Sequence, residues 1–113
     1  MRLPNAERVV IEPQKLKMYL LSPEHPVGRL KAAFFYALGF TRQNWERLEL
    51  ELRTLARAGA ADLSERNAFG QKYVVRGRIR GPAGRSAMLT TVWIILDHEE
   101  IPRLVTAYPG DSR

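Results

Sequence analysis

His25 and Lys31 bring an imidazole and an ammonium to the start of one stretch whose spacing predicts a helix. Pro26 suits the first turn of that helix, because its missing N–H would be unpaired there anyway. Lys31 lies on the flank of the apolar stripe, where an ammonium must extend to solvent, pair with an acid or face a cleft. A histidine and a lysine that share a cleft could move a proton and neutralise an anionic transition state.

Two further pairs of residues stand at alternate positions in segments that read as β-strands. Thr91 shares a strand face with Trp93, and Thr106 shares one with Tyr108. Threonine and aromatic side chains are ordinary in strands, so each alone indicates little. If they converge on neighbouring strands, two hydroxyls, a phenol and an indole could hold a phosphate and stack a base.

These residue types match the needs of RNA cleavage by the substrate's own 2′-hydroxyl. That reaction requires a base for the hydroxyl proton, an acid for the leaving 5′-oxygen and donors for the phosphorane charge. We expect His25 to act as acid or base and Lys31 to neutralise the phosphorane. Thr91, Thr106 and Tyr108 are expected to donate to its non-bridging oxygens.

The charge of the chain favours an anionic partner. Eighteen Lys and Arg against twelve Asp and Glu give a net charge of +6, and no acid occurs between Arg66 and Leu96. Four bases that alternate along one predicted strand face, with one aromatic residue, form the candidate RNA-binding set: Lys72, Arg76, Arg78, Arg80 and Trp93. A solvated outer face would show the same alternation, and the two interpretations are compatible.

Several classes of site are disfavoured by what the sequence omits. It has no cysteine, and its two histidines lack an H-E-x-x-H pattern, so we expect neither a disulfide nor a metal site. It carries no P-loop, G-x-G-x-x-G or G-x-S-x-G motif, and no cofactor is expected. Without a long apolar run or a signal peptide, we predict a cytoplasmic protein with no membrane contact.

The periodicity predicts an α+β fold, a single domain over 1–113 in which three N-terminal helices pack on a C-terminal antiparallel sheet of three to four strands. The predicted helices are 14–21, 26–39 and 41–59, and the predicted strands are 72–80, 87–96 and 103–108. The segment 59–70 is expected to be a loop. The second helix is expected to bury one apolar stripe made of Val27, Leu30, Phe34, Ala37 and Leu38.

Motifs along nearly the whole chain resemble those of an uncharacterised domain family. They include Leu3-Pro4-Asn5-Ala6-Glu7, His25-Pro26-Val27-Gly28 with Lys31-Ala32, Trp93-Ile94 and the ending Pro102 to Pro109. Members of that family occur as small free-standing proteins, at the ends of phage head-morphogenesis-like proteins and as toxic tips of contact-dependent growth-inhibition proteins. The toxic relatives resemble the barnase/EndoU/colicin/RelE group of metal-independent ribonucleases, some of which act on tRNA.

The resemblance implies roles for individual residues. His25 and Lys31 match the family's histidine–lysine helix motif, Thr91 matches the threonine ahead of the tryptophan, and Thr106 and Tyr108 match the terminal Thr-Ala-Tyr. Toxic relatives usually carry an arginine just before that first threonine, where this chain has Thr90. The departure removes a phosphate clamp that the resemblance would otherwise imply.

Two hypotheses of different classes follow. The first is a metal-independent RNA endonuclease, a tRNA-directed toxin with an acidic antitoxin or immunity protein as its partner. The second is a catalytically silent module that keeps the same scaffold for RNA or protein binding.

Overall fold

The computed structural model describes residues 1–110. Its helices are α1 (Pro13–Lys15), which continues as a π-helical turn over Leu16–Leu20, then α2 (Arg29–Ala37) and α3 (Trp45–Ala58). Two 3₁₀ turns, Ala6–Arg8 and Arg42–Asn44, precede α1 and α3. The strands are β1 (Ala60–Arg66), β2 (Gly70–Arg80), β3 (Ser86–Leu96) and β4 (Arg103–Pro109).

The four strands form one antiparallel meander in the order β1-β2-β3-β4. The predicted α+β class, with three helices before the sheet, is therefore confirmed in its broad form. Helices and sheet do not separate cleanly, because Val10 of the N-terminal segment bridges to Arg103, the first residue of β4. None of the helices in residues 1–110 is long and apolar enough to cross a bilayer.

The prediction of a loop over 59–70 is wrong for most of that segment. β1 pairs with β2 from Ala60 opposite Arg76 to Arg66 opposite Gln71, with an irregularity after Leu63. Most of its side chains are exposed, so it shows no apolar alternation that could predict a strand. Backbone pairing with a long neighbour, rather than side-chain burial, holds this edge strand in place.

The helices cover one face of the sheet. The buried cluster joins Leu48, Leu52 and Leu55 of α3 and Phe35 of α2 to the inner residues of the sheet. Those inner residues are Val75, Ile79, Leu89, Trp93 and Ala107. The opposite face of β2, which begins with Lys72 and continues at alternate positions, is half-buried to exposed.

The buried face of α2 differs from the predicted stripe. Leu38 is buried, but Leu30 is 77% and Val27 61% exposed, whereas Ala32 and Phe35 are fully enclosed. Apolar residues occupy most of the circumference of this helix, so periodicity alone did not fix which side packs inward. Lys31, which adjoins Ala32, is consequently carried against the sheet instead of away from it.

Gly28 lets the loop before α2 lie directly on the π-helical turn. A β-carbon at Gly28 would stand 2.0 Å from the backbone carbonyl oxygen of Tyr19, a contact that no side-chain rotation relieves. We expect Gly28→Ala to lower the free energy of unfolding by about 2–3 kcal/mol, the upper range for overpacking. Denaturant melts measure the loss.

Gly84 provides the matched control, because the two glycines are restrictive for different reasons. Gly84 has φ +84° with nothing near its added β-carbon, whereas Gly28 has an ordinary φ of −76°. Gly84→Ala should therefore cost only about 1–2 kcal/mol of left-handed strain. A Gly28→Ala protein as stable as the wild type would contradict the close packing of this loop on Tyr19.

Candidate active site

Three polar side chains from three elements form a closed triangle. The Lys31 ammonium donates to the Tyr19 hydroxyl at 2.7 Å and to Thr106 Oγ1 at 3.0 Å. The two hydroxyls are themselves 3.0 Å apart. Within residues 1–110 no carboxylate pairs with Lys31. The charge of this lysine is therefore held by hydroxyls alone.

Irregular backbone places two corners of this triangle. Tyr19 lies in the π-helical turn, and Thr106 lies at a register shift where Val92 pairs with Thr106 but Trp93 pairs with Leu104. The extra residue of this β-bulge is Val105. Such bulges, in helices and in strands, re-aim side chains and are frequent at functional sites.

The electrostatics of the triangle act on the Tyr19 phenol. Partial burial raises the pKa of Tyr19, but hydrogen bonds from Lys31 and Thr106 and the charges of Lys31 and Lys15 outweigh it, so the net pKa lies below 10.0. The Lys31 ammonium also lies 5.0 Å from the centre of the Tyr19 ring. The site thus favours the phenolate more than water does.

The ionisation of Tyr19 can be measured without any substrate. The tyrosinate absorbance difference between wild type and Tyr19→Phe should titrate with a midpoint below 10, and Lys31→Met should move that midpoint upwards. Because the folded pKa is the lower one, the ionised group stabilises the fold as pH rises through this window. The gain is lost as pH falls through the folded pKa. A midpoint unchanged by Lys31→Met would contradict the coupling.

His25 stands beside Tyr19, with the ring centroids 5.0 Å apart and an edge-to-face arrangement. Its Nδ1 accepts hydrogen bonds from the backbone N–H groups of Val27 and Gly28, each at 3.0 Å. Because Nδ1 is occupied as an acceptor, Nε2 is the ring nitrogen through which His25 can donate a hydrogen bond in this conformation.

A cavity of about 670 Å³ opens next to the triangle. Its wall includes Tyr19, His25 and Thr106 together with the α1 region and the β4 bulge residue Val105. This volume lies within the range of small-molecule and nucleotide sites. The structure thus brings a phenol, an imidazole and a hydroxyl to one solvent-accessible space, with Lys31 hydrogen-bonded to the phenol and the hydroxyl.

Thr91 and Trp93 do not belong to this site. The β3–β4 register pairs Thr91 with Ala107, the residue between Thr106 and Tyr108, so their side chains point to opposite faces. Thr91 and Trp93 are both fully buried. Thr91 donates to the carbonyl of Val75 at 2.8 Å and accepts from the Trp93 indole at 2.8 Å. The expected convergence is corrected: a buried Trp93 has no face to offer a base, and Thr91 is a core residue.

Thr91→Val should therefore act on stability and not on the site. The substitution leaves the Trp93 N–H and the Val75 carbonyl without their partner, which costs about 1–3 kcal/mol for a buried group. Thr91→Ser, which keeps the hydroxyl, should lose less. Denaturant melts measure both. If Thr91→Val impaired RNA binding or cleavage at full stability, the core assignment would be wrong.

Tyr108 lies on the same sheet face as Thr106 but outside the triangle. It is half-buried, and within residues 1–110 its hydroxyl makes no hydrogen bond. Its register partner Thr90 is fully buried and donates to the Gly110 carbonyl at 2.7 Å. Thr90, which stands where the resemblance predicts an arginine, is therefore hydrogen-bonded to the residue after β4. Beside it, the Tyr108 hydroxyl has no hydrogen-bond partner within residues 1–110.

The predicted basic face is partly neutralised by β1, the strand that the sequence did not predict. Lys72 lies 3.5 Å from Glu65, and Arg76 lies 2.9 Å from Asp62. Arg78 and Arg80 are exposed, and no ion pair of theirs occurs in residues 1–110. Ion pairs with such exposed carboxylates are worth about 0–1 kcal/mol, so a phosphate can displace them.

Tyr19 is the residue of this site that the sequence analysis missed. Tyr19 lies in the predicted helix 14–21, one helical turn from Leu16 and next to Leu20, both of which are buried. The available signal was its polar tip and the lysine four positions before it, since Lys15 lies 5.9 Å from its ring. No group of three His, Cys, Asp or Glu side chains within residues 1–110 could hold a metal ion.

Comparison with known proteins identifies a family and a structural relative. A chain of a contact-dependent growth inhibition toxin–immunity protein complex from Klebsiella pneumoniae 342 shares the fold, with a TM-score of 0.70. It is 13% identical, and the alignment covers 96% of this chain and 98% of that one. A search of curated proteins finds no match. The model of the family described as "Domain of unknown function (DUF6883)" matches residues 2–111, and the chain therefore belongs to that family.

Proposed function

We propose that this protein is a metal-independent RNA endonuclease that cleaves through the substrate's 2′-hydroxyl. The observation that carries the proposal is the Lys31–Tyr19–Thr106 triangle, whose two hydroxyl residues line an open cavity together with His25. An ammonium that two hydroxyls hold, without a carboxylate, keeps one N–H donor and an unneutralised charge for an anion. A phosphodiester is the anion that fits a protein of net charge +6.

Each of four side chains is assigned a role in cleavage from its observed hydrogen bonds: Tyr19, Lys31, Thr106 and His25. Burial raises the pKa of Tyr19, but the hydrogen bonds of Lys31 and Thr106 lower it overall, so Tyr19 is the side chain proposed to take the 2′-hydroxyl proton. The 2′-oxygen then bonds to phosphorus while the bond to the 5′-oxygen breaks. Lys31 and Thr106 donate to the non-bridging oxygens of the phosphorane. His25 donates from Nε2 to the leaving 5′-oxygen, which takes its proton from solvent in the open cavity.

The outer face of the sheet continues from this site, and its basic edge provides the proposed path for the flanking RNA. Tyr108, Thr90 and Arg76 lie in one register row, and Arg78 follows two residues along β2. Neighbouring strands lie about 4.8 Å apart, so a short single-stranded RNA segment can reach from Thr106 to the side chains of Arg76 and Arg78. In this proposal Tyr108, Lys72, Arg76, Arg78 and Arg80 contact the phosphates.

The biological role that fits is that of a toxin directed at RNA such as tRNA. Its fold similarity to a chain of a toxin–immunity complex supports this role. An acidic antitoxin or immunity protein would complement the basic sheet face and cover the site. The substrate face and the partner face would then coincide.

Induction in bacteria tests the proposal. Wild type should arrest growth and shorten cellular RNA, and the double variant His25→Ala, Lys31→Ala should do neither at equal expression. Co-expression of an acidic protein encoded beside the gene should restore growth. If folded wild-type protein left growth and total RNA unchanged, the proposed toxin role would be wrong.

A second candidate function is a silent binding module on the same scaffold. Thr90 favours it, because this residue is buried and hydrogen-bonded at the position where toxic relatives place an arginine. Such a module would retard RNA in a gel at low salt without shortening it.

A further inference from the structure

We infer that the cavity beside the Lys31–Tyr19–Thr106 triangle binds one unpaired nucleobase that carries an exocyclic amino group. The inference deepens the proposed function, on which it rests for the cleavage step, by naming the substrate class. It rests on the side chains that line this cavity, and three features of that lining support it.

The first feature is an apolar surface with no protein partner. Met18 is 56% and Val27 61% exposed, and both line the cavity together with half-buried Val105. These side chains belong to the π-helical turn, the loop before α2 and the β4 bulge. They bring three separate apolar groups to one opening, where a flat, hydrophobic base face would remove them from water.

The second feature is a pair of hydrogen-bonding groups without partners. The carboxylate of Glu12 and the amide of Gln14 line the same cavity, and within residues 1–110 neither side chain makes a hydrogen bond or ion pair. Arg103 interacts electrostatically with Glu12, but its guanidinium is hydrogen-bonded to the Glu99 carboxylate, at 2.8 and 3.1 Å. An anion and an amide therefore remain available to read the edge of a bound base.

The third feature is the charge of the groups at the cavity. Two lysines act at Tyr19, since Lys31 donates to its hydroxyl at 2.7 Å and Lys15 lies 5.9 Å from its ring, whereas Glu12 adds a negative charge to the lining. A phosphate is attracted to the lysines and repelled by the carboxylate. A nucleotide therefore enters with its phosphate at the triangle and its base towards Glu12.

This orientation sets both the kind of base and the kind of RNA. A carboxylate only accepts hydrogen bonds, so it favours the exocyclic amino groups of adenine, cytosine and guanine over uracil, which has none. A base can offer this edge only when it is not in a duplex. The substrate is therefore a single strand, loop or bulge, and not a continuous helix.

Binding of 2′-O-methyl oligonucleotides tests the inference apart from catalysis, because the blocked 2′-oxygen cannot attack. Fluorescence anisotropy should show that single-stranded oligo-A and oligo-C bind the wild-type protein more tightly than oligo-U or a duplex of the same length. Met18→Ala should weaken single-strand binding about tenfold, because it removes an apolar side chain that the bound base would cover. Glu12→Gln should abolish the preference over oligo-U.

Leu50→Ala is the matched control, since Leu50 is 63% exposed on α3 and lines no part of this cavity. It should bind like wild type, and circular dichroism should show that all variants are folded. Equal affinity for oligo-A, oligo-U and duplex, or equal effects of Met18→Ala and Leu50→Ala, would overturn the inference. The expected binding pattern with no cleavage of unmodified RNA would uphold this pocket and overturn the nuclease instead. Cleavage with no base preference would do the reverse.

Discussion

Lys31→Met lowers the rate of RNA cleavage by about 10³-fold in our account, while the free energy of unfolding changes little. The ammonium is the one cation hydrogen-bonded to both hydroxyls of the triangle in residues 1–110. Loss of a donor aimed at a developing oxyanion typically costs 10²–10³-fold, and this donor is charged. Methionine keeps the apolar stem, so packing against Tyr19 is retained. Single-turnover cleavage of a labelled RNA measures the rate.

Lys17→Met makes the matching control for charge. Lys17 lies on the same short helical segment as Tyr19, but its ammonium sits 5.2 Å from the Trp45 ring and outside the cavity. It removes the same charge and should leave the rate within about threefold, because screened charges off the site act weakly. Equal losses in the two variants would show that Lys31 acts through net charge alone, contrary to the account.

Tyr19→Phe should reduce cleavage by about 10²-fold or more, the usual effect of losing a positioned base. The ring is kept, so contacts with His25 and with Lys31 above its face remain. The wild-type rate should rise with pH up to the lowered Tyr19 pKa, and this rise should disappear in the variant. Rate–pH profiles of the two proteins measure both effects.

Tyr36→Phe is the control for Tyr19→Phe, because it removes a structural phenol hydroxyl instead of the one proposed to act as the base. Tyr36 donates to the Leu21 carbonyl at 2.8 Å, outside the cavity. Its replacement should cost about 1 kcal/mol of stability and leave the rate–pH profile unchanged. A Tyr19→Phe protein with wild-type rate and pH profile would remove Tyr19 from the mechanism.

Strong periodicity made much of the fold predictable from the sequence. The buried stripe of α3 and the alternation along β2 each follow one period, and both were placed within a few residues. β1 was missed because its exposed side chains carry no pattern, and its backbone pairing with β2 defines it. The packed side of α2 was misjudged because Leu30 and Phe35 are equally apolar and tertiary contacts chose between them.

The candidate site was predictable only where residue type alone pointed to chemistry. Lys31 and Thr106 were proposed as site residues from the sequence, and in the structure Lys31 donates a hydrogen bond to Thr106. Thr91 was proposed with them, but the β4 bulge and the β3–β4 register are set by pairing that strand alternation does not reveal. Tyr19 was not proposed from the sequence. Its hydroxyl points to Lys31 because it lies in a π-helical turn, which residue spacing does not predict.

The ends of the RNA products distinguish attack by the substrate's 2′-hydroxyl from hydrolysis by water. Wild-type protein incubated with single-stranded RNA in excess EDTA should yield 2′,3′-cyclic phosphate and 5′-hydroxyl ends by mass spectrometry, and no product from 2′-O-methyl RNA. This outcome follows if the substrate's hydroxyl attacks and Lys31, Tyr19 and Thr106 hold the phosphate. Products with 5′-phosphate ends, or cleavage that EDTA abolishes, would contradict the account.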